Sequence, residues 1–386
     1  MMVAQQMLLY GQSSSWIRKM FEEGARLKSV HGADNVYDFS LGNPDLPPPQ
    51  KAIMAMARLA SEMSHGYMPN AGYPEVRQTI ATFATKEYGV RLTPEDIIMT
   101  CGAGGGINVV LRSILNPGDE VIALAPYFVE YGFYVENFGG TLTVARCDEQ
   151  FLPKLENIKA AITPKTKAII VNSPNNPTGR VYPEHILQGI CDLLADHPDI
   201  LLISDEPYRR LVYDKIPVPS VLKIVPNSVV VTSASKSLSL AGERIGYIAV
   251  SPGLKERQEL LNAMTMANRI LGFVNAPAMM QRVLAECLAC GVDMSIYQQR
   301  RDLFCRILDD SGLSYAPPEG TFYLFVKAPI PDDIAFCNTL VKERILAVPG
   351  TGFGWPGYIR FAYCTAEGTI TAAGPGIKRA VAMVKS

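Results

Sequence analysis

Histidine is scarce in this chain of 386 residues, which has four, at positions 31, 65, 185 and 197. Cys287 and Cys290 form a C-x-x-C pair, but no second pair of cysteines or histidines accompanies it at the spacing of a zinc site. Because a structural zinc ion takes four such ligands, we expect no metal site. We interpret the two cysteines as small apolar residues on one face of a helix.

Long apolar runs and an excess of positive charge are also missing. No stretch reaches the ~20 apolar residues that a membrane span needs, and no basic region precedes a cleavage site, so we expect no secretory signal. Lys and Arg total 36 against 37 Asp and Glu, which argues against a nucleic-acid partner. The eight cysteines lack the spacing of a disulfide-rich domain. From these absences we expect a globular protein in the reducing environment of the cytoplasm.

Short apolar, β-branched runs recur along the chain, and each ends in a polar or glycine-rich turn. They are IIMT (97–100), VIALA (121–125), TLTVA (141–145), AIIVN (168–172), ILLIS (200–204), SVVVTS (228–233) and IGYIAV (245–250). Several are apolar on both faces, as in a covered parallel sheet, and helical periodicity appears between them at 104–116, 153–163 and 183–197. The alternation predicts an α/β fold whose large domain has a mostly parallel seven-stranded sheet covered by helices.

The ends of the chain have a different pattern. Residues 14–29 predict a helix with a serine cap, and 254–311 are rich in helical pattern. After 312 we expect a hairpin region with TFYLFVK as one strand, a helix near 332–344 and a last strand at 358–363. We expect the N- and C-terminal segments to form a smaller α+β domain. The predicted division is 1–48 for the N-terminal segment of the small domain, 49–270 for the large domain and 271–386 for the C-terminal part of the small domain.

Polar motifs follow four of the apolar runs, at the strand ends where open α/β sheets bind their ligands. They are the glycines of CGAGGGIN (101–108), the turn SPNNPTGRVY (173–182), DEPYRRLVY with Asp205 and Tyr208, and SASKSLSLAGERIG with Ser233, Ser235, Lys236 and Arg244. A glycine-rich loop before a helix lets backbone N–H groups approach a phosphate. Each motif alone also has a plain structural explanation, as a tight turn, a strand-to-helix connection or a helix cap.

Lys236 stands at the inner end of an apolar strand, where desolvation lowers the pKa of an amine and makes it nucleophilic. A lone lysine is a solvated surface residue in most proteins. Ser233 and Lys236 formally match the S-x-x-K of penicillin-recognising enzymes, but the companion motifs S-D-N and K-T-G are absent. We therefore discount that class.

The four motifs together, in this order and at this spacing, resemble the class I/II pyridoxal-phosphate-dependent aminotransferases of the aspartate aminotransferase superfamily. The signatures are SPNNPTG, the D-x-x-Y of Asp205 and Tyr208, and S-x-S-K-x₇-R from Ser233 to Arg244. The resemblance runs from about Ser13 to the last predicted strand. It implies a transaminase with pyridoxal 5′-phosphate as cofactor, which exchanges an amino group between an L-amino acid and a 2-oxo acid by a ping-pong mechanism.

The resemblance assigns the chemistry to three residues. Lys236 matches the lysine that forms a Schiff base with the cofactor and later moves a proton. Asp205 matches the carboxylate that faces the pyridine nitrogen and keeps the ring electron-poor. Tyr208, together with Asn176, matches the pair that hydrogen-bonds the 3-oxygen of the cofactor.

The rest of the cofactor site is implied in the same way. Ser233, Arg244 and the backbone at Ala103 and Gly104 match phosphate ligands, and the planar guanidinium suits a dianion. Phe128, where many relatives have tryptophan, falls where an aromatic ring stacks on the cofactor. Gly104 offers only backbone where relatives often place a side chain, which predicts a weaker phosphate cage.

The substrate residues implied by the resemblance are Arg360, Asn176 and Gly42, with Arg360 clamping the α-carboxylate. Tyr67 matches a tyrosine that reaches the phosphate of the neighbouring subunit, so we expect a homodimer with shared active sites. No residue matches the arginine that aspartate-specific members use for a distal carboxylate. Arg269 is a candidate without a matching motif, and an aspartate- or glutamate-type enzyme is a hypothesis that stays open.

Two other functions are compatible with parts of the pattern. A β-C–S lyase acting on a cystathionine-like thioether would use the same catalytic residues on the same fold. The ligand-sensing half of a transcription regulator reuses the fold behind a DNA-binding domain. Because the family pattern begins near Ser13 and the charge is not basic, we do not expect such a domain here.

Overall fold

A computed structural model of the chain describes residues 2–12, 16–62 and 65–385. The α-helices in these ranges are α1 (Gln5–Gln12), α2 (Trp16–His31), α3 (Gln50–Ala60), α4 (Pro74–Tyr88), α5 (Gly102–Ile114), α6 (Glu130–Glu136), α7 (Leu155–Ala161), α8 (Glu184–Ala195), α9 (Val221–Ile224), α10 (Arg257–Ile270), α11 (Ala278–Cys287), α12 (Met294–Asp310), α13 (Asp333–Lys342) and α14 (Glu367–Lys385). The strands are β1 (Tyr37–Asp38), β2 (Ile97–Thr100), β3 (Glu120–Ala125), β4 (Thr141–Arg146), β5 (Thr166–Asn172), β6 (Leu201–Asp205), β7 (Ser228–Ser233), β8 (Gly246–Val250), β9 (Tyr323–Lys327), β10 (Ile345–Leu346), β11 (Val348–Pro349) and β12 (Tyr358–Ala362).

Seven strands form the large sheet, in the order β2-β8-β7-β6-β5-β3-β4. β8 is antiparallel to both of its neighbours, and the remaining pairs are parallel. The sheet is therefore mixed but mostly parallel, and it contains all seven of the apolar runs. The predicted α/β fold is confirmed.

Both faces of the inner part of this sheet are buried by helices, which explains why an inner strand such as β5 is largely apolar, whereas the edge strand β4 is mostly exposed or half-buried. Ile169 and Val171 in β5 point to one face and pack in a cluster with α3, α4, α8 and α11. Ala168 and Ile170 point to the other face and pack with α5, α6 and α10. Because side chains alternate along a strand, a run that is apolar at every position requires cover on both sides.

The parallel strands bring the predicted motifs to one edge. β5, β6 and β7 end at Asn172, Asp205 and Ser233, and β2 ends just before α5. β2 runs in the same direction because it is antiparallel to β8, which is itself antiparallel to β7. All four predicted motifs therefore lie at the carboxyl ends of their strands, next to one another.

Several local predictions need correction. The glycines at 102 and 104–106 belong to the first turns of α5, which begins at Gly102, so they do not form a loop ahead of the helix. The expected hairpin after residue 312 is reduced to an isolated bridge between Tyr315 and Val326, and the continuous pairing of β9 is with β12 instead. The predicted serine cap of α2 falls on residues outside the described ranges.

A second group of elements packs around β9, β12, α12, α13 and α14, and Phe39 from the N-terminal segment is buried among them. β11, β12 and β9 form an antiparallel sheet, and β1 pairs with β10. α11 lies after the predicted border at 270/271, yet it packs with α3 and α4 beside the large sheet. The predicted domain borders stay a prediction.

The helices bear on two predictions, that the chain has no membrane span and that Cys287 and Cys290 are small apolar residues of a helix. No α-helix in the described ranges is long and apolar enough to cross a membrane. Cys287 is fully buried at the end of α11 in the hydrophobic cluster, as expected for a small apolar residue. Cys290 lies beyond the end of that helix and is partly exposed.

Candidate active site

A cavity of about 340 Å³ lies at the carboxyl edge of the large sheet, where the segment around Gly42 and the strands β9 and β12 close over it. Eleven of the twelve site residues predicted from the sequence line this cavity: Gly42, Ala103, Gly104, Phe128, Asn176, Asp205, Tyr208, Ser233, Lys236, Arg244 and Arg360. Tyr67 does not line it and is 92% exposed. The fold therefore brings together residues that are more than 300 positions apart in the sequence.

Asp205 is a buried carboxylic acid at the end of β6. Its Oδ2 accepts a hydrogen bond of 2.5 Å from the hydroxyl of Tyr131, whereas its Oδ1 is buried without a hydrogen-bond partner among the described residues. Burial raises the pKa of Asp205 to about 7, although the hydrogen bond from Tyr131 acts in the opposite direction. A buried carboxylate oxygen without a partner beside a cavity is suited to accept a hydrogen bond from a bound ligand.

Lys236 follows β7 and projects its amine into the cavity. Its Nζ donates to the carbonyl oxygen of Gly42 at 2.7 Å and lies 5.9 Å from the centre of the Tyr208 ring. Burial, with the positive charge of Arg360 nearby, lowers the pKa of Lys236 to about 8. About a tenth of this amine is therefore neutral and nucleophilic at pH 7, a far larger fraction than for a lysine with the ordinary pKa of about 10.4.

Arg360 is a buried cation on β12, with 1% of its surface exposed. Nη1 donates to Oδ1 of Asn176 at 2.9 Å, Nη2 donates to the carbonyl oxygen of Ser40 at 2.7 Å, and Nε has no partner among the described residues. No described carboxylate forms an ion pair with it, and the guanidinium lies 4.4 Å from the centre of the Tyr323 ring and 4.8 Å from that of Phe353. A buried charge without a counter-ion is costly, so this group is suited to bind an anion that enters the cavity.

Tyr323 connects the lysine side of the cavity with the arginine side. Its hydroxyl lies 3.0 Å from the hydroxyl of Tyr208, and the guanidinium of Arg360 lies 4.4 Å from the centre of its ring. A Cβ atom on Gly42 would lie 1.8 Å from the Tyr323 hydroxyl, so this position requires glycine.

The other end of the cavity is formed by the N-terminus of α5, where backbone N–H groups at Ala103 and Gly104 lack partners within the helix. Ser233 lies at the end of β7, and Arg244 has a left-handed backbone conformation with φ of 51°. A Cβ atom on Gly102 would lie 2.7 Å from Nη2 of Arg244, so glycine lets the guanidinium approach the helix end. Free amides, a hydroxyl and a guanidinium together form a cradle for a phosphate.

The sequence did not identify Tyr131 and Tyr323 as site residues. Tyr131 stands three positions after Phe128, and its ring contacts the Phe128 ring edge-on at 5.7 Å. Tyr323 and Arg360 are diagonal neighbours on one face of the antiparallel pair, since Arg360 lies opposite Phe325 and Ala362 lies opposite Tyr323. The spacing could have suggested Tyr131, whereas Tyr323 depends on a strand register that the sequence does not reveal.

The family model of aminotransferase class I and II matches residues 34–373 of this chain. The chain belongs to this family of aminotransferases. It is similar to the aspartate/prephenate aminotransferase of Thermus thermophilus, with 34% identity over 346 residues that cover 86% of this chain and 87% of the relative. It is also similar to the aspartate aminotransferase of Thermotoga maritima, with 30% identity over 363 residues that cover 92% and 94% of the two chains.

Solved structures of aminotransferases agree with the fold over nearly the whole chain. The structure of an amino transferase from Eubacterium rectale superposes with a TM-score of 0.96 at 36% identity and covers 100% of both chains. The aspartate aminotransferase of Thermus thermophilus with maleate gives a TM-score of 0.89 at 30% identity, covering 98% of this chain and 100% of that one. The predicted family, fold and transaminase class are confirmed.

Class I and II aminotransferases use pyridoxal phosphate, and this aminotransferase uses it as well. The residues at the cavity fit that cofactor. The unpaired Oδ1 of Asp205 suits a ring nitrogen that carries a proton, the neutral amine of Lys236 suits an aldehyde carbon, and the cradle at α5 suits a phosphate. The individual roles assigned to these residues stay predictions.

Proposed function

We propose that this aminotransferase moves an amino group from aspartate or glutamate to a 2-oxo acid in two half-reactions, and that it works as a homodimer. The observation that supports amino-acid recognition most directly is the buried guanidinium of Arg360, which has no carboxylate partner among the described residues. Its planar fork would bind the α-carboxylate in a two-point contact. Asn176 already holds the guanidinium in place through its side-chain oxygen.

Pyridoxal phosphate, when bound, supplies an electron-withdrawing ring that stabilises negative charge at the α-carbon of the amino acid. Asp205 would hold a proton on the ring nitrogen through Oδ1, and Ser233, Arg244 and the α5 amides would bind the phosphate. Tyr208 would donate a hydrogen bond from its hydroxyl into the cavity. The side chain of Lys236 would hold the aldehyde carbon until the substrate amine replaces it there, which would free Nζ to act as the base that removes the α-proton.

A first prediction concerns the pH at which Lys236 reacts. In cofactor-free protein, the rate of pyridoxal phosphate uptake should rise with pH and reach half its maximum near pH 8, because only the neutral amine attacks and burial lowers the pKa of Lys236 to about 8. An exposed lysine would require a pH of about 10.4. The measurement is the initial rate of appearance of the bound cofactor's absorption band across a pH series. Lys236→Ala should show no such band, and a half-maximum near pH 10 would contradict the prediction.

The preference for an acidic donor is supported by the relatives. Aspartate aminotransferases of Thermus thermophilus and Thermotoga maritima cover more than four fifths of this chain, and the Thermus structure contains maleate, a dicarboxylate. In this chain the described cations that line the cavity are Lys236, Arg244 and Arg360. Lys236 is proposed to bind the aldehyde carbon, Arg244 the phosphate and Arg360 the α-carboxylate. The side-chain carboxylate of aspartate or glutamate would therefore require a further donor.

Arg269 is the candidate for that further donor, through the partner subunit. It is exposed at the C-terminal end of α10, and its guanidinium contacts only the sulfur of Met266 among the described residues. In the proposed homodimer, Arg269 would reach the cavity of the other subunit, and the exposed Tyr67 would reach the phosphate there.

The test is a set of donor half-reactions with purified, cofactor-loaded enzyme, in which the change of the cofactor spectrum is followed for each amino acid. Aspartate or glutamate should react with the highest kcat/KM, and a higher value for aromatic, alanine or methionine donors would contradict the acidic preference. Release of a 2-oxo acid from a thioether amino acid without any acceptor would indicate the β-C–S lyase instead. Sedimentation of the loaded enzyme tests the homodimer.

A second prediction tests whether Arg269 selects acidic substrates or only supports the structure. Arg269→Gln should lower kcat/KM for aspartate about 10- to 160-fold, because the loss of one charge-assisted contact costs about 1.5–3 kcal/mol. The value for alanine, which has no distal carboxylate, should stay unchanged and serves as the internal control. Equal losses for both donors would assign Arg269 to structure rather than to substrate selection.

A further inference from the structure

Tyr131 is a buried tyrosine outside the predicted set of site residues, and it contacts the carboxylate of Asp205 directly. It lies on α6 with 1% of its surface exposed. Its hydroxyl donates to Oδ2 of Asp205 at 2.5 Å. Asp205 lines the cavity and Tyr131 does not, so the tyrosine approaches the carboxylate from behind.

The two oxygens of Asp205 are therefore in different situations. Oδ2 is held by Tyr131, whereas Oδ1 is buried without a partner among the described residues. The main chain at Asp205 is also restrained, because its carbonyl oxygen accepts a hydrogen bond of 2.8 Å from the side chain of Asn172. With one oxygen and the carbonyl held, rotation of the carboxylate about its Cβ–Cγ bond is restricted.

We propose that Tyr131 is a positioning residue for this aminotransferase, which holds Oδ2 of Asp205 so that Oδ1 faces the cavity as an ionised acceptor. The proposal rests on the role given to Asp205 in the proposed function. A phenol hydroxyl has one proton to donate, and donation to a carboxylate stabilises the charged form. Without it, the free energy cost of burying the charge would favour the neutral acid, which cannot keep a proton on a ring nitrogen.

Because of the groups around Asp205, the equilibrium between its charged and neutral forms depends strongly on the hydrogen bond from Tyr131. The pKa of Asp205 is raised to about 7. Burial is the largest cause and the neighbouring Glu206 adds to it, whereas the hydrogen bond from Tyr131 and the charge of Lys236 act in the opposite direction. The remaining titratable neighbours are the tyrosines at 134 and 208. Burial raises the pKa of Tyr134 to about 12 and that of Tyr208 well above its ordinary value, so both are neutral in this range.

The test uses cofactor-free protein labelled with ¹³C at the aspartate carboxyl carbons, with the Asp205 signal assigned by its loss in Asp205→Asn. Tyr131→Phe keeps the ring and removes only the hydroxyl. It should raise the pKa of Asp205 by about one to two units, the shift that corresponds to the loss of one hydrogen bond to a charged group. Because no substrate or cofactor is present, this result is independent of which amino acid the enzyme uses.

Tyr213→Phe is the matched control. Tyr213 is as deeply buried as Tyr131. Its hydroxyl donates to the backbone carbonyl of Thr321 and accepts from the hydroxyl of Tyr363, so the variant loses at least as much buried hydrogen bonding as Tyr131→Phe. Both variants should show a lower melting temperature, but Tyr213→Phe should leave the Asp205 titration unchanged. An unchanged titration in folded Tyr131→Phe, or equal shifts in the two variants, would overturn the proposal.

Discussion

Asp205→Asn should lower kcat by roughly 10³-fold, the size of effect expected when one preorganised electrostatic group is removed from an active site. Asparagine has the shape of aspartate and can still accept the hydrogen bond from Tyr131, but it has no negative charge to keep a proton on the ring nitrogen. Uptake of the cofactor should persist, because Lys236 and the phosphate cradle are untouched. The measurements are single-turnover rates with a saturating donor and the absorbance of the bound cofactor.

Although Asp205→Asn should lower kcat, it should raise the stability of the cofactor-free protein above about pH 7. The pKa of Asp205 is raised in the folded protein from 3.8 to about 7, so between these values the folded state holds a proton that the unfolded state has lost. The free energy of unfolding contributed by this group therefore falls as pH rises from about 4 to about 7. Cofactor-free Asp205→Asn should melt at a higher temperature than the natural protein at pH 8 and at a similar temperature at pH 4.

Glu206→Gln is the control for the loss of a negative charge at this place in the chain. Glu206 is also buried, but its carboxylate accepts from Tyr88 and forms an ion pair with Arg209, away from the unpaired oxygen of Asp205. This variant should be less stable because Arg209 loses its nearest counter-ion. Its kcat should fall far less than that of Asp205→Asn. Equal losses of kcat in the two variants would show that Asp205 has no special role.

The large sheet could be predicted from the sequence because each strand is marked by its own residues. A run such as AIIVN is apolar at successive positions, and this requires burial on both faces wherever the strand lies in the sheet. The order of the strands in the sheet could not be predicted in this way, because no local sequence pattern specifies it. The reversed direction of β8, for example, depends on pairing with β2 and β7, which lie far away in the sequence.

The site residues also fall into those that the sequence reveals and those that depend on tertiary packing. Lys236, Asp205 and Arg244 follow strands within recognisable motifs, and the cavity contains all three. Tyr131 and Tyr323 are ordinary aromatic residues in apolar segments, and their contacts appear only when α6 is packed on the sheet and β9 is paired with β12. Tyr67 and Arg269 are exposed in a single chain, so their predicted roles require a second subunit.

Arg360→Lys should reduce kcat/KM for every amino donor by roughly 30- to 5,000-fold, which corresponds to the 2–5 kcal/mol lost when a buried, hydrogen-bonded charge contact is broken. Lysine keeps the charge but lacks the planar fork, so it cannot hold Asn176, the carbonyl of Ser40 and a carboxylate at once. The loss should appear mainly in KM, and the uptake of the cofactor should be unaffected. The measurement is the concentration dependence of the half-reaction with an acidic donor and with alanine.

Arg301→Lys is the matched control for this prediction. Arg301 is also largely buried, but it forms ion pairs with Asp214 and Asp302 and does not line the cavity. Its guanidinium thus already has counter-ions, whereas that of Arg360 has none among the described residues, and only the latter gains an anion when substrate binds. Arg301→Lys should therefore leave KM unchanged for both donors. If Arg360→Lys did the same, the α-carboxylate would have to bind elsewhere in the cavity, and the proposed orientation of the substrate would be wrong.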